Sequence, residues 1–266
     1  LFTEKQFDRI YINTEKNEVL IFENNLPVQS RNIESLIDIE DYFALHGHKI
    51  KSYSKSDDTL INENYEKLYK FLVLHFNKFG NKILDFAKQF NEKKFSNYSK
   101  SGIKIESINK KINITLEYKS DKLSITNEDP EILKFITGEW FEYYCYKELE
   151  KINIFDRLYL NVKVAWKGKK SENLDKNQID ILGIKGTTPY IFECKSGRIK
   201  QEAIGQLAAI KNEYFDRYTK SILISYFMQD DLILEKAKGY NDIYHILAQN
   251  IANSKNQIIK ADTKLR

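Results

Sequence analysis

A predicted β-hairpin within residues 176–195, KNQIDILGIKGTTPYIFECK, constrains the fold more than any other stretch of this chain. Two β-rich runs, IDILGI (179–184) and YIFECK (190–195), flank a short segment that contains Gly186 and Pro189. Glycine and proline commonly mark turns, and short runs rich in apolar and aromatic residues are typical of strands. The stretch therefore predicts two antiparallel strands joined by a tight turn.

The open end of this hairpin carries charged side chains. Side chains alternate faces along a strand, so Glu193 and Lys195 share one face and Cys194 points to the other. Pairing around the turn would place Asp180 on the strand beside Glu193. Two carboxylates and an ammonium in an apolar sheet cost free energy unless something pairs the charges. A divalent cation held by carboxylate and carbonyl oxygens would do so, whereas the simpler alternative is an ordinary hairpin with a surface Glu–Lys pair.

This Asp…Glu-x-Lys pattern resembles the PD-(D/E)xK nuclease superfamily, which has the restriction-endonuclease-like fold. The resemblance implies that Asp180 and Glu193 ligate Mg²⁺ or Mn²⁺, and that the backbone carbonyl of Cys194 joins them. It also implies that Lys195 orients or activates the attacking water. The sequence departs from the family pattern at the proline, because Ile179 precedes Asp180.

A helix is predicted before the hairpin, over residues 131–152, because apolar residues recur there at helical spacing. Gly138, followed four residues later by Glu142, resembles the first-helix G-x-x-x-E motif of the superfamily. In that family the Glu reaches the metal site directly or through water, so Glu142 is an expected catalytic and metal-binding residue. Glu139 is the other candidate, and a solvated helix carboxylate is the alternative to a functional role.

A second helix and a further strand are predicted after the hairpin, over residues 199–218 and in SILISYF (221–227). Gln206 lies near the start of this helix, where the superfamily often has a polar residue at the border of the active site. The resemblance therefore implies that Gln206 hydrogen-bonds the water or the phosphate. The order helix, strand, hairpin, helix and strand is the superfamily's αβββαβ core, which gives an α/β (α+β) fold class.

Charge is a weaker guide to nucleic-acid binding. The formal net charge of +4 would help the chain to bind a polyanion but does not demonstrate such binding. Three lysines in the loop between the first core strand and the hairpin are candidate contacts to a nucleic-acid backbone. A solvated loop is an equally good interpretation of these three residues: Lys167, Lys169 and Lys170.

Two smaller regions are expected before a nuclease domain that spans residues 129–266. Residues 1–56 predict a hairpin, a short helix and a linker, and this region is expected to be the remnant of, or the attachment to, a sensor domain. Residues 57–128 predict two helices on either side of Gly80 followed by a β-hairpin, an α+β module similar to a winged helix. This module could contact DNA or act as a spacer or dimerisation domain. The lack of an Arg-rich helix face favours the second role.

The end of the chain and the cysteines are expected to be structural. One or two closing helices are predicted after residue 228, with His245 on one of them as a structural residue. The two cysteines, Cys145 and Cys194, lie in apolar contexts without a C-x-x-C pattern, which fits reduced, buried thiols in a cytoplasmic protein. No signal peptide and no apolar run near the length of a membrane span is present, so no membrane partner is expected.

The chain as a whole resembles one group within the superfamily, the CRISPR-associated nucleases that join a cyclic-oligoadenylate-sensing CARF domain to a PD-(D/E)xK domain. The phrases IEDYFALHG (39–47) and GEWFEYYCY (138–146) carry this resemblance. It implies a homodimer that cleaves DNA and/or RNA in antiviral defence and that is activated by cyclic tetra-adenylate. The chain is expected to lack most or all of this sensor domain.

Two other functions remain compatible with these features. A restriction or recombination/repair endonuclease of the same superfamily would share the site but not the sensor. A catalytically idle, dimeric nucleic-acid-binding module would keep the fold without the reaction. Metal-dependent activity that disappears in Glu193→Ala would separate an enzyme from such a module.

Overall fold

The computed structural model describes residues 9–13, 18–23, 26–32, 38–45, 47–54, 63–91, 97–165, 178–215, 218–239 and 243–258. The first three strands form a small antiparallel sheet in the order β1-β2-β3, with β1 (Arg9–Asn13), β2 (Glu18–Glu23) and β3 (Leu26–Asn32). The predicted N-terminal hairpin is therefore confirmed as β1 and β2, and β3 extends it by one strand.

A short helix links this region to the central sheet. The helix α1 (Ile39–Leu45) is followed by β4 (Ile50–Ser54). Asp38 begins the helix, and its Oδ1 accepts the backbone N–H of Ile39 at 2.7 Å, which satisfies one of the amides left free at a helix start. The same carboxylate pairs with Arg157 at 3.2 Å and so ties α1 to the sheet.

The central sheet has six strands in the order β13-β12-β11-β10-β9-β4. Strands β9, β10 and β11 pair antiparallel, and β11, β12 and β13 pair parallel. The new strands are β9 (Arg157–Val164), β10 (Gln178–Lys185), β11 (Thr188–Lys195), β12 (Lys220–Ser225) and β13 (Tyr244–Leu247). With one helix before β9 and another between β11 and β12, the predicted αβββαβ core is confirmed.

The helix before β9 contains a local irregularity. It runs from α3 (Ile132–Lys134) through a π-helical turn (Phe135–Glu139) into α4 (Trp140–Ile152). It ends at Asn153, whose φ of 46° lies in the left-handed region and whose N–H donates to the carbonyl of Glu150. The predicted helix over 131–152 is thus observed with one widened turn, and π turns of this kind are frequent at functional sites.

The helix α2 (Glu63–Asn91) is continuous over 29 residues, so the prediction of two helices separated at Gly80 is wrong. A glycine inside a helix costs only about 1 kcal/mol, and the buried apolar stripe continues through that position. A Cβ on Gly80 would lie 3.1 Å from the ring of Phe76, so the glycine leaves room for that ring. The stripe comprises Leu68, Leu72, Phe76, Phe79, Ile83 and Phe86.

Four antiparallel strands follow α2 in the order β5-β6-β7-β8. They are β5 (Asn97–Lys100), β6 (Ile103–Ile108), β7 (Lys111–Tyr118) and β8 (Asp121–Asn127). The last three match the predicted β-rich runs, and β5 was not predicted. The region keeps its predicted α+β character, but its described residues lack the second helix on which the similarity to a winged helix depended.

The C-terminal part of the domain differs from the expectation of closing helices. After α5 (Gln201–Tyr214) and β12 come α6 (Asp231–Gly239), the strand β13, and a 3₁₀ helix (Ala248–Asn253). His245 therefore lies on a strand, not on a helix. The run Tyr244–Leu247 pairs parallel with β12 because that strand otherwise leaves an unpaired edge.

Two apolar cores cover the faces of the central sheet. One packs against α4 and includes Trp140, Phe192 and Ile224, and the other packs against α5 and includes Leu182, Ile191 and Leu223. Among the described helices, none combines the length and apolar character needed to cross a bilayer.

Candidate active site

The hairpin of β10 and β11 forms with the register that its turn predicts. Lys185 pairs with Thr188, so the two residues between them make the turn, and Gly186 has a φ of 58° in the region that favours glycine. Ile181 pairs with Phe192. The next position along each strand is Asp180 on β10 and Glu193 on β11, as the sequence predicted.

Both carboxylates are buried, and each contacts a residue at the end of β11. Asp180 is 7% exposed, and its Oδ2 accepts the backbone N–H of Cys194 at 2.8 Å. The side chain of Glu193 is 4% exposed, and its Oε1 lies 2.5 Å from Nζ of Lys195, whose side chain is 37% exposed. The alternation along β11 thus brings Glu193 and Lys195 together, and Lys195 links the buried carboxylates to the surface.

Glu142 joins these residues from α4. Its Oε2 atom is buried and has no hydrogen-bond partner among the described residues. Burial, followed by the charges of Asp180 and Glu139, holds the pKa of Glu142 well above its usual range. The charged cluster of this protein consists of Glu142, Asp180, Glu193 and Lys195.

Glu139 faces a different environment. Burial and then the charge of Glu131 raise the pKa of Glu139, and Lys134 and Lys163 are the cations that oppose this rise. The charges of Asp180, Glu193 and Lys195 act on Glu142. Of the two candidates on this helix, Glu142 is the one on which the charges of the hairpin residues act, so it is the one assigned to the charged cluster.

The charged cluster stores unfavourable electrostatic energy. Burial and the neighbouring Glu193 raise the pKa of Asp180 to about 7. Burial alone would lower the pKa of Lys195, but the attraction of Glu193 and Asp180 outweighs it and raises that pKa above its usual value. Lys195 is thus a stable cation at neutral pH, while the raised pKa values of Asp180 and Glu142 mean that a nearby cation would favour loss of their protons.

The backbone N–H of Cys194 contacts Asp180, whereas its thiol lies on the opposite face of the sheet from Glu193 and Lys195. Its thiol hydrogen-bonds the thiol of Cys145 on α4, and both cysteines are free and buried. Burial raises the pKa of each thiol, so neither is a ready nucleophile. The sequence-based expectation of reduced, buried cysteines agrees with this arrangement.

The remaining predicted site residues are not brought into the cluster. Gln206 is exposed on α5, and the structure gives it no hydrogen bond to the charged cluster within the described residues. Its role stays a prediction. Three predicted contacts to a nucleic-acid backbone lie outside the described residues: Lys167, Lys169 and Lys170.

Sequence reasoning missed a polar group beside Lys195. In the parallel register, Ser225 at the end of β12 lies opposite Lys195, and its Oγ lies 2.7 Å from Nε2 of His245 on β13. Ser225 is fully buried, and burial lowers the pKa of His245. A serine directly after the apolar run 222–224 was the available signal, but its role depends on which strand lies next to it.

A cavity of about 480 Å³ lies elsewhere, at the opposite end of β9 and β10. It is lined by residues that include Asn153, Phe155 and Arg157, and by none of the charged cluster. The chemistry of the charged cluster outweighs the size of this cavity as a guide to function.

The charged cluster suits a divalent metal ion in its donor chemistry. No three His, Cys, Asp or Glu side chains in the described part of the chain are placed to hold an ion as they stand. The oxygen donors are nevertheless of the hard type that Mg²⁺ and Mn²⁺ prefer. The unpartnered Oε2 of Glu142 and the raised pKa of Asp180 show a surplus of buried negative charge. The residues Asp180, Glu193, Glu142 and the carbonyl of Cys194 therefore fit such an ion.

Two proteins of known structure share this fold. Can2 from Sulfobacillus thermosulfidooxidans, whose structure holds cyclic tetra-adenylate, superposes with a TM-score of 0.66 at 16% identity, covering 95% of this chain and 68% of Can2. Protein VC1899 from Vibrio cholerae superposes with a TM-score of 0.67 at 13% identity, covering 95% of this chain and 69% of that protein. At these identities the two matches establish the fold. No curated protein sequence matches the chain.

Residues 129–262 match the family described as "Card1-like, endonuclease domain". This segment contains the whole αβββαβ core and all four residues of the charged cluster. The resemblance to CRISPR-associated, restriction-endonuclease-like nucleases is therefore confirmed, and the chain belongs to the family of Card1-like endonuclease domains.

Proposed function

We propose that this chain is a metal-dependent endonuclease that hydrolyses phosphodiester bonds of DNA and/or RNA. The observation that carries the proposal is the charged cluster: three carboxylates converge on one lysine at the end of a hairpin. In a purely structural role, this much buried negative charge would lower the stability of the fold. The same charge is useful if it binds a cation during function.

The proposed ion is Mg²⁺ or Mn²⁺, held by Asp180, Glu193 and the carbonyl of Cys194, with Glu142 as an outer or second-metal ligand. When bound, such an ion supplies positive charge that polarises a phosphate and lowers the pKa of water. Asp180 already has its second oxygen fixed by the N–H of Cys194, which orients the carboxylate. Glu193 is free to ligate once Lys195 turns away from its Oε1.

Lys195 is proposed as a donor rather than as a base. Its raised pKa keeps it protonated at neutral pH, so its three N–H groups can hold the attacking water or a phosphate oxygen. Its partly exposed side chain can reach a strand bound at the surface. A general base would instead need a pKa near the working pH.

Cyclic tetra-adenylate is proposed as the activator, acting through a sensor domain and a homodimer. The support is the shared fold with Can2, whose structure contains this ligand, together with membership of the Card1-like family. The proposed role is that of a CRISPR type III ancillary effector in antiviral defence. Addition of cyclic tetra-adenylate to the purified chain, with cleavage as the readout, tests whether the ligand acts on this part of the protein.

The test of the nuclease proposal combines metal binding with cleavage. Titration calorimetry of Mn²⁺ into the wild type and into Glu193→Gln should give binding only in the wild type. Nicking of supercoiled plasmid and cleavage of single-stranded DNA and RNA should appear with Mn²⁺ or Mg²⁺ and should fall by at least a hundredfold in Glu193→Gln and in Asp180→Asn, because metal ligands are lost.

A matched control is available on the same helix as Glu142. Glu139→Gln removes a half-buried carboxylate that lies outside the charged cluster, and should leave cleavage within a few-fold of the wild type, whereas Glu142→Gln should reduce it strongly. Unchanged metal binding in Glu193→Gln would mean that the ligands are misassigned. Cleavage that does not depend on Glu193 or Asp180 would reject the proposed function.

A further inference from the structure

An apolar loop borders Lys195 on the side away from the hairpin turn. The N–H of Tyr226, the first residue after β12, donates to the carbonyl of Lys195 at 3.1 Å. The next two residues are exposed although both are apolar, Phe227 by 36% and Met228 by 75%. A single exposed apolar residue is ordinary, but two adjacent ones that follow directly on a backbone contact of Lys195 form a small exposed apolar surface.

Buried polar side chains hold this loop in one conformation. The carbonyl of Phe227 accepts two hydrogen bonds, from Oγ of Ser225 at 2.8 Å and from Nε2 of Gln229 at 2.6 Å. Gln229 also accepts the N–H of Ile199 at 2.8 Å through its Oε1, which ties the loop to the segment before α5. Because Ser225 gives its only proton to Phe227, His245 must donate to Ser225 through Nε2–H.

The ring of Phe227 also packs against two other aromatic rings. Its centroid lies 5.1 Å from that of Tyr226 in an edge-on arrangement and 5.8 Å from that of Phe76 on α2. Both neighbours are held in turn by Trp140. Phe227 is thus a rigid aromatic side chain that keeps part of its surface in solvent, a condition that lowers the entropy lost when a ligand binds.

We propose that Phe227, flanked by Met228, is a base-stacking subsite that holds one unpaired nucleobase of the strand next to the phosphate bound at the charged cluster. The inference rests on the proposed nuclease function and adds a residue that positions the substrate. Aromatic side chains bind single strands by stacking on bases, since every base has an accessible π face once it is unpaired. The loop is joined to the backbone of Lys195 through the N–H of Tyr226, and Lys195 is the cation proposed to hold the phosphate.

The test uses the full chain and fluorescently labelled single strands, in the presence of a chelator so that the strand stays intact. Phe227→Ala should weaken binding roughly tenfold, in line with the loss of one stacked base. Tyr218→Ala is the matched control, because Tyr218 is another exposed aromatic residue that lies before the opposite end of β12. It should bind as the wild type does.

Strands with a single abasic site, moved one position at a time, identify the stacked base. For the wild type, one position should weaken binding by about the same factor as Phe227→Ala. For Phe227→Ala, that same abasic site should weaken binding no further. An abasic penalty that persists unchanged in Phe227→Ala, or equal binding by Phe227→Ala and the wild type, overturns the inference.

Two conservative variants separate stacking from folding. Phe227→Leu keeps an apolar side chain against Tyr226 and Phe76, and should melt close to the wild type but bind strands as weakly as Phe227→Ala. Phe227→Trp should bind at least as tightly as the wild type, with indole fluorescence quenched by the strand. If cleavage depends on Glu193 but not on Phe227, this inference alone is rejected. If the wild type neither binds strands nor shows cleavage that depends on Glu193, the proposed function is rejected as well.

Discussion

Lys195 and Glu193 lie two residues apart on β11 and form an ion pair of 2.5 Å in which the carboxylate is almost fully buried and the lysine is not. The lysine therefore neutralises a carboxylate that has almost no exposed surface, and it does so from a position open to a substrate. This relationship makes Lys195 important for the stability of the metal-free protein as well as for the proposed reaction.

Replacing Lys195 should destabilise the metal-free protein. Lys195→Met leaves Glu193 and Asp180 without their cation, and the free energy of unfolding should fall by about 1–3 kcal/mol, less than for a fully buried pair because the lysine is partly exposed. Urea denaturation in a chelator measures this change. The control Lys200→Met, at an exposed lysine before α5, should change the free energy by no more than about 0.5 kcal/mol. Equal effects would contradict the importance of the ion pair.

The metal-free protein should become less stable as the pH rises from about 4 to about 7. The pKa of Asp180 is raised to about 7 in the folded state, so the folded protein holds a proton that the unfolded chain has already lost, and this contribution to stability disappears as the pH passes the folded pKa. Melting temperatures in a chelator at several pH values measure it. Asp180→Asn should flatten the dependence, and Glu202→Gln, at an exposed carboxylate of α5, should not.

Addition of Mn²⁺ should reverse this pH dependence if the proposed ligands are correct. An ion that binds the deprotonated carboxylates stabilises the folded state more at pH 8 than at pH 5. The shift in melting temperature on adding Mn²⁺ should therefore grow with pH in the wild type and be absent in Asp180→Asn. A shift of equal size at both pH values would indicate binding away from the charged cluster.

The two cysteines should be unreactive until the protein unfolds. Cys145 and Cys194 are buried and hydrogen-bonded to each other, and burial raises the pKa of both thiols. A thiol reagent at pH 7.5 should label the native protein only as fast as it opens, and should label both thiols at once in urea. Single variants Cys145→Ala and Cys194→Ala assign the signals. Immediate labelling of either thiol in the native protein would contradict this packing.

Glycine at position 183 should be required for packing on the β10 strand. A Cβ at Gly183 would lie 2.7 Å from the ring of Phe155, and Gly183→Ala should therefore destabilise the fold by about 1–3 kcal/mol. Gly205→Ala on α5 is the matched control, since a Cβ there meets no atom within 4 Å and alanine favours a helix by up to about 1 kcal/mol. Urea denaturation should thus show that the free energy of unfolding falls in Gly183→Ala and rises in Gly205→Ala. Restored stability in Gly183→Ala combined with Phe155→Leu would assign the cost to this contact.

The local pattern of the sequence determined the αβββαβ order and the pairing of Asp180 with Glu193. Strand alternation and a two-residue turn fix which side chains share a face, and both depend on residues close in sequence. Helical spacing likewise placed Glu139 and Glu142 on one helix. It could not choose between them, because the rotation of that helix relative to the sheet depends on the packing of residues such as Trp140 and Cys145.

Only the tertiary structure decided the features that depend on distant neighbours. Helix α2 continues through Gly80 because the rings on its buried stripe outweigh the weak preference of one glycine. The run Tyr244–Leu247 is a strand because β12 offers it a free edge. The same pairing brings His245 to Ser225, and Ser225 in turn hydrogen-bonds the carbonyl of Phe227. Contacts between residues far apart in sequence set these outcomes, and the local preferences of each segment are too small to determine them.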